Sequence, residues 1–545
     1  MKTNVSLCIA AALMVAACGD PSHRHNSGEK VSVINSTPDE VIEEDVEITA
    51  NEAALMEPSA NATSKMILSS PPQQRNAETY KEIKENSFVA VAQQPVTTFS
   101  ADVDRAAYAN VRRIIGYGQI PPKDAVRIEE MVNYFDYDYP APEEGSASPL
   151  RVSPELAPAP WNPNHLLLRI GLQAKKIDLA KAPPSNIVFL IDVSGSMDEE
   201  NKLPLLKSSF KMLLGQLRPD DKIAIVTYAN GTKVVLPSTS VKDKEKIIKV
   251  LDNLYASGGT SGGKGIQLAY EQAQKSFIKN GNNRIILATD GDFNIGINNT
   301  TDLEKFIEKQ RESGIYMSVL GFGIGNYRDD MAETIADKGN GNYAYIDNIT
   351  EAKKVLVNEL SGTLFAVAKD VKLQLEFNPK YVKEYKLIGY ENRMLANEDF
   401  TNDKKDAGEI GAGHTVTALY ELVPSDGKVA QSLRYQSQEL NEKGKGNELG
   451  FLKIRYKDPK VKDAKSVEIT EPLVFNKKAL KETSTDYRFA ASVAEFGILL
   501  RDNSNKANAT YDQVIELAEG AIGKDPEGYR KEFVRLVKSV KMLPK

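Results

Sequence analysis

The chain has 545 residues, too many for one hydrophobic core, and a soft expectation of about 150 residues per domain gives roughly three units. Its 69 Lys plus Arg against 75 Asp plus Glu leave a formal net charge of −6, and with no long basic tract nothing favours nucleic acid as a partner. At 41% hydrophobic and 26% charged residues the composition is that of an ordinary soluble globular protein.

The first elements read as an address. Lys2 precedes an apolar stretch, residues 5–17, that is too short to span a bilayer and has the length of a signal-peptide core. It ends in Val15-Ala16-Ala17-Cys18, which resembles the lipobox of bacterial lipoproteins. The resemblance implies a signal peptide over residues 1–17 and acylation of Cys18 at its thiol and new amino group. The competing reading is a plain secretory signal followed by a chance cysteine. Several acyl chains would anchor the chain firmly, where a single chain binds only marginally. Cys8 and Cys18 are the only cysteines, and Cys8 would leave with the signal, so the mature domains would stand on packing without a disulfide. The expected location is the bacterial cell envelope, the outer membrane ahead of the inner, with the leaflet left open.

Residues 18–87 read as a disordered tether, polar and acidic and without sustained periodicity. The run Asp39-Glu40-Val41-Ile42-Glu43-Glu44-Asp45 would repel itself and resist collapse. As a flexible coil such a segment reaches roughly 40 to 50 Å. His23 and His25 fall here and read as solvated linker rather than as metal ligands.

Residues 88–183 form an N-terminal segment. Apolar Ala106, Val111, Ile114 and Ile115 predict a helix over 105–116, with Asp104 as its N-cap; a calcium role for Asp102 and Asp104 is the competing reading. A second helix is expected over 124–135 after Pro121-Pro122. The aromatic run Tyr134-Phe135-Asp136-Tyr137-Asp138-Tyr139 reads as cover for a core edge. A strand is expected over 165–172.

Residues 184–364 alternate strands with helices, as a parallel α/β sheet requires. Residues 187–191 are apolar at every position, as in a central strand buried on both faces. Helices are expected over 202–217, 242–254, 263–278, 302–313, 350–360 and briefly near 329–337. Strands are expected over 222–227, 233–236, 284–289, 316–321 and 343–346. In open sheets of this kind ligands bind beyond the carboxyl ends of the strands. The first strand ends there in Asp192-Val193-Ser194-Gly195-Ser196, a later loop offers Gly258-Gly259-Thr260, and another strand ends in Thr289-Asp290-Gly291.

These loops, in this order, resemble those of the von Willebrand factor type A domain of integrins and many bacterial surface proteins. The likeness extends to Gly321-Phe322-Gly323-Ile324-Gly325-Asn326 and Gly339-Asn340-Gly341-Asn342-Tyr343. The resemblance implies a metal-ion-dependent adhesion site for magnesium, or else manganese or calcium. Ser194 and Ser196 would bind through their hydroxyls, Asp192 and Asp290 directly or through water, and Thr260 would bind or release as its loop moves. A sixth position would stay open for a partner's oxygen, usually a carboxylate. Hard divalent cations suit such an all-oxygen set. The bland alternative, turn chemistry of Asp, Ser and Gly, does not explain why the sets share one sheet edge.

Look-alike motifs fail on detail. Residues 258–265 imitate a nucleotide P-loop, but Gly265 stands where the magnesium-binding hydroxyl belongs. Residues 290–301 imitate a calcium loop, but Ile295 and Thr301 occupy its glycine and glutamate positions. Gly321-Phe322-Gly323-Ile324-Gly325 places its third glycine one residue early for a dinucleotide fingerprint.

Residues 365–545 change character. Alternation over 371–377, 415–423, 451–456 and 467–469 predicts strands of a half-exposed antiparallel sheet, followed by helices over 487–500, 511–518 and 526–542. Tyr529, Phe533, Val534, Leu536, Val537 and Val540 give the last helix an apolar face that packs on the domain, and His414 reads as a strand-edge residue. The expected fold is therefore α/β: a doubly wound, mostly parallel sheet inserted in or flanked by a β-rich domain with C-terminal helices. A lone strand before the central unit is unstable, so residues 166–172 are expected to join the C-terminal sheet. The whole chain from Phe88 resembles bacterial lipoproteins carrying a type A domain between a distinctive N-terminal segment and a C-terminal domain. The expected function is a membrane-anchored, metal-dependent protein-binding module rather than an enzyme. The alternatives are an envelope scaffold with a purely structural metal site and a metal-dependent hydrolase.

Overall fold

The computed structural model describes residues 78–259, 262–291, 300–325, 327–426, 446–461, 464–502 and 506–544. The signal segment, Cys18, both tether histidines, Thr260 and Asn326 lie outside them. Order begins before residue 88, which corrects the end of the expected tether. Glu78 accepts from Arg113 at 2.8 Å and from the Gly325 amide at 3.0 Å, Thr79 pairs with Arg328 through the backbone, and the Asn86 amide donates to the carbonyls of Leu387 and Gly389. Polar residues there find fixed partners, which composition does not reveal.

The N-terminal segment supplies β1 (Val89–Ala90), β2 (Val96–Ser100), α1 (Ala106–Gly116), α2 (Ile128–Asn133), β3 (Leu150–Ala159) and β4 (Asn162–Ala174). Asp104 is not the cap of α1, and its carboxylate is engaged elsewhere. Only 4% exposed, it accepts from the Tyr343 amide at 2.8 Å and pairs with Arg393 at 3.2 Å, and Asp102 pairs with the same guanidinium at 3.0 Å. The first turn of α1 is served instead by Glu130, whose carboxylate accepts from the Ala107 amide at 2.9 Å. The second helix is shorter than expected, because Val126 and Arg127 leave helical geometry after a 3-10 turn at Lys123–Ala125. The aromatic run does more than cover an edge. Tyr134, Phe135, Tyr137 and Tyr139 are at most 6% exposed and lie within a core shared with the C-terminal helices.

The central unit comprises β5 (Ser185–Asp192), α3 (Leu203–Gln216), β6 (Lys222–Tyr228), β7 (Thr232–Ser240), α4 (Lys244–Asp252), α5 (Gly262–Lys275), β8 (Asn282–Thr289), α6 (Thr300–Arg311), β9 (Ile315–Gly321), α7 (Asp329–Lys338), β10 (Tyr343–Tyr345), α8 (Ile349–Lys353) and α9 (Leu360–Leu364). The sheet runs β10-β9-β8-β5-β6-β7, with β7 antiparallel to β6 and the other pairs parallel. Strand β5 shows why its run is apolar throughout. Val188 and Leu190 enter one core, while Ile187, Phe189 and Ile191 enter the core on the opposite face. The chain proceeds outward from β5 through β6 and β7, then returns to β8 and proceeds the other way. The order therefore reverses between β5 and β8, the switch point where such sheets open a ligand crevice. The single helix expected over 350–360 is interrupted by a π turn at Lys354–Asn358. This turn seats Lys354, 1% exposed, on Glu359 and over the rings of Tyr134 and Tyr529.

The C-terminal part contributes β11 (Ala366–Phe377), β12 (Val382–Ile388), β13 (Ile410–Gly411), β14 (Thr415–Pro424), β15 (Glu448–Lys457), β16 (Val467–Val474), α10 (Thr485–Leu500), α11 (Tyr511–Glu519) and α12 (Tyr529–Met542). One sheet has the order β1-β12-β14-β4-β3; the other has β13-β11-β15-β16, with β2 also on β11. Leu166, Leu168, Ile170 and Leu172 of β4 share a core with Leu373, Leu375 and Phe377 of β11, so the sheets pack face to face. Strand β4 pairs antiparallel with β14, Leu166 opposite Leu422 and Gln173 opposite Thr415. The central unit is thus inserted between β4 and β11. The half-exposed expectation fails for β14, whose first eight residues are all buried. Leu167 and Leu419 on the other face meet α10, α12 and the aromatic run. The expected face of α12 packs into that same core.

Candidate metal centre

At the switch point the carboxyl ends of β5 and β8 deliver two acids. Ile191 and Ala288 are register partners; Asp192 follows the first, and Asp290 stands two residues beyond the second, directly after the end of β8. Asp192 is 0% exposed and Asp290 5%. The Asp192 carboxylate accepts from the Ser194 amide at 2.9 Å, which turns the chain into a 3-10 helix at Gly195–Asp198. That turn brings the Ser194 and Ser196 hydroxyls 3.0 Å apart, the first buried and the second exposed. The Gly-Gly loop is fastened to this one: the Ser257 amide donates to Val193 O at 2.8 Å, and the Gly195 amide to Gly258 O at 2.9 Å. Gly258 has φ +79°, and a Cβ there would meet the Asn230 amide at 2.0 Å, so both conformation and space require glycine. Thr260, the remaining expected ligand, lies outside the described residues. Asp192, Ser194, Ser196 and Asp290 lie close together at these strand ends.

The electrostatics of this group follow from burial. Burial pushes the Asp192 carboxyl up to about 7; its hydrogen bonds from Ser194 work against this, and the charge of Asp290 adds to it. Two buried carboxylates beside two hydroxyls form an all-oxygen donor set, which suits a hard divalent ion that keeps water or takes a further oxygen. Among the described residues no group of three or more His, Cys, Asp or Glu could hold a metal. A cation here therefore relies on the serine hydroxyls as well as the acids. Asp192, Ser194, Ser196 and Asp290 would hold it.

One residue of the site escapes sequence reasoning. Lys202, at the entrance to α3, is 5% exposed and places its ammonium 3.3 Å from Asp290 Oδ2 and 2.8 Å from the Ser196 carbonyl. A lysine ahead of a helix reads as solvated surface, and nothing in the sequence around it says otherwise.

Family models match along most of the chain. Residues 186–358 match the von Willebrand factor type A domain, residues 74–169 a family described as von Willebrand factor, and residues 362–543 the C-terminal region of uncharacterized protein YfbK. Uncharacterized protein YfbK of Escherichia coli (strain K12) is 48% identical over 465 residues, 84% of this chain and 80% of the relative. Uncharacterized protein sll0103 of Synechocystis sp. is 26% identical over 326 residues, 60% of this chain and 74% of its own length. A solved structure titled von Willebrand factor type A from Catenulispora acidiphila aligns with 84% of this chain and 91% of its own at 14% identity, with a TM-score of 0.39. The chain belongs to the family of bacterial von Willebrand factor type A domain proteins that includes YfbK of Escherichia coli.

Proposed function

We propose that the chain is a lipid-anchored protein-binding module of the bacterial envelope whose hold on its partner depends on a divalent cation, magnesium first, with manganese or calcium as alternatives. The observation that carries this reading is the meeting of Asp192, Ser194, Ser196 and Asp290 at the ends of adjacent strands β5 and β8. Hydroxyl ligands leave a bound cation enough positive charge to attract a carboxylate from a partner. The exposed Ser196 puts the site within a partner's reach.

Binding is favoured over hydrolysis by where the described histidines stand. His165 pairs with Glu421 at 2.6 Å, and His414 sits with its ring against Gly362. Burial and the Arg105 guanidinium push the His414 imidazole down to about 4. It precedes β14 in a turn. Neither accompanies Ser194 or Ser196 as a base. The proposed attachment rests on Cys18 and its lipobox; no helix among the described residues is long and apolar enough to cross a membrane.

The test is capture from bacterial envelope extract on the full chain, in magnesium and in chelator, beside Asp192→Ala. The reading expects a partner retained in magnesium and released by both chelator and the substitution. Metal binding with no metal-dependent capture would favour a structural role for the ion, and turnover on a hydrolase panel would favour the enzyme.

A further inference from the structure

The metal loops already contain a cation. The Lys202 ammonium donates to the Ser196 carbonyl at 2.8 Å and to Glu199 Oε1 at 3.2 Å, and lies 3.3 Å from Asp290 Oδ2. An ammonium has three donors, and these contacts use them. The stem is enclosed as well as the head. Gly323, with φ +80°, lies so close that a Cβ on it would stand 2.3 Å from Lys202 Cε. The loop after β9 thus leaves room for this side chain to cross beneath it, a built arrangement rather than a surface lysine resting on an acid.

We propose that Lys202 is a resident counter-charge of the metal centre, one that holds Asp290 and the Ser196 carbonyl in place before metal arrives and opposes the entering cation. The inference rests on the reading of Asp192, Ser194, Ser196 and Asp290 as metal ligands. Among the buried groups, Asp192, Asp290 and a divalent ion would sum to zero charge and Lys202 leaves one positive unit; the carboxylate of Glu199, its side chain 60% exposed, is screened by water. That surplus weakens the hold on the metal alone and favours an anionic oxygen from outside as the group that completes the site. The lysine thereby links metal occupancy to the arrival of a carboxylate-bearing partner.

The experiment is magnesium titration of the full chain by calorimetry, for the wild type, Lys202→Met, Lys202→Gln and Lys202→Arg, with thermal unfolding of each in chelator. Both neutral variants are expected to bind magnesium at least about tenfold more tightly, since a like charge a few ångströms away is removed. Their metal-free forms are expected to melt lower than the wild type, because Asp192 and Asp290 then face each other unopposed. Lys202→Arg, which keeps the charge, is expected to stay close to the wild type in affinity. If Lys202→Met does not fold, Lys202→Gln, which retains a donor for the Ser196 carbonyl, carries the test. Wild-type binding with unchanged or weaker affinity in the neutral variants overturns the role of Lys202 alone. No binding by any of the four overturns the metal reading beneath it.

Discussion

The guanidinium of Arg127 meets the carboxylate of Asp329 at 2.6 and 3.2 Å, with side chains 2% and 0% exposed. Arg127 stands just ahead of α2 and Asp329 opens α7, so the contact fastens the N-terminal segment to the central unit. Glu130 also pairs with Arg127, and the Tyr343 hydroxyl donates to Asp329 at 2.7 Å. Neither charge has water to fall back on. Arg127→Met is expected to cost about 3–5 kcal/mol, because it leaves the Asp329 carboxylate buried without its cation, and Asp329→Asn less, because Arg127 keeps Glu130. The double variant should lose less than the sum of the two. Urea unfolding of the three proteins checks this, and additive losses would show that the pair is not coupled.

Magnesium should stabilise the folded chain through the loops of β5 and β8. At one hundred times its dissociation constant a ligand adds about 2.7 kcal/mol. The melting temperature is therefore expected to rise with magnesium and to return with chelator. Asp192→Ala and Asp290→Ala should abolish the rise. Scanning calorimetry decides, and an undiminished shift in both variants would remove the metal from this site.

Glu495 predicts a pH dependence. It lies on α10, 0% exposed, and burial pushes its carboxyl up to about 8, with the Thr510 backbone N–H working against this. The folded chain therefore keeps a proton that the unfolded chain releases near the usual 4.5. Stability from this group is complete below that value, falls as pH rises toward about 8, and levels off above. Glu495→Gln should flatten this slope and gain on the order of 1–3 kcal/mol over the wild type near pH 8. Parallel pH slopes of the two proteins in chemical denaturation would contradict it.

The lipobox reading makes its own prediction. Cys18→Ser should retain residues 1–17 and lose incorporation of labelled palmitate in cells. Label on the variant equal to that on the wild type would refute acylation at Cys18.

What sequence reading reached and missed follows the range of each interaction. Asp192, Ser194 and Ser196 are legible because their chemistry is packed into one turn, and 187–191 because both faces of β5 are buried. Asp104 reads from the sequence as the cap of the nearest helix, yet its partners, Tyr343 and Arg393, lie 239 and 289 residues away. Strand β12, with Lys383, Glu384 and Lys386 among its seven residues, carries no clean alternation; Lys386 is only 6% exposed despite its charge. Lys202 was invisible for the same reason, since a buried lysine and a solvated one look alike until the acid beside it is known. The pairing of β4 with the C-terminal sheet could be reached from the sequence, because a lone edge strand is unstable and must find a neighbour.

The insertion of the central unit also sets an order of events as the chain emerges, N-terminus first. Leu172 of β4 waits for Val416 of β14, about 240 residues later in the chain. During this interval β4 has only β3, its immediate hairpin partner, and an apolar face with no second sheet to cover it. Every strand of the six-stranded central sheet, by contrast, emerges within that window. The mostly parallel sheet, with the loops of Asp192 and Asp290, can therefore close while the surrounding sandwich is still waiting for its second half.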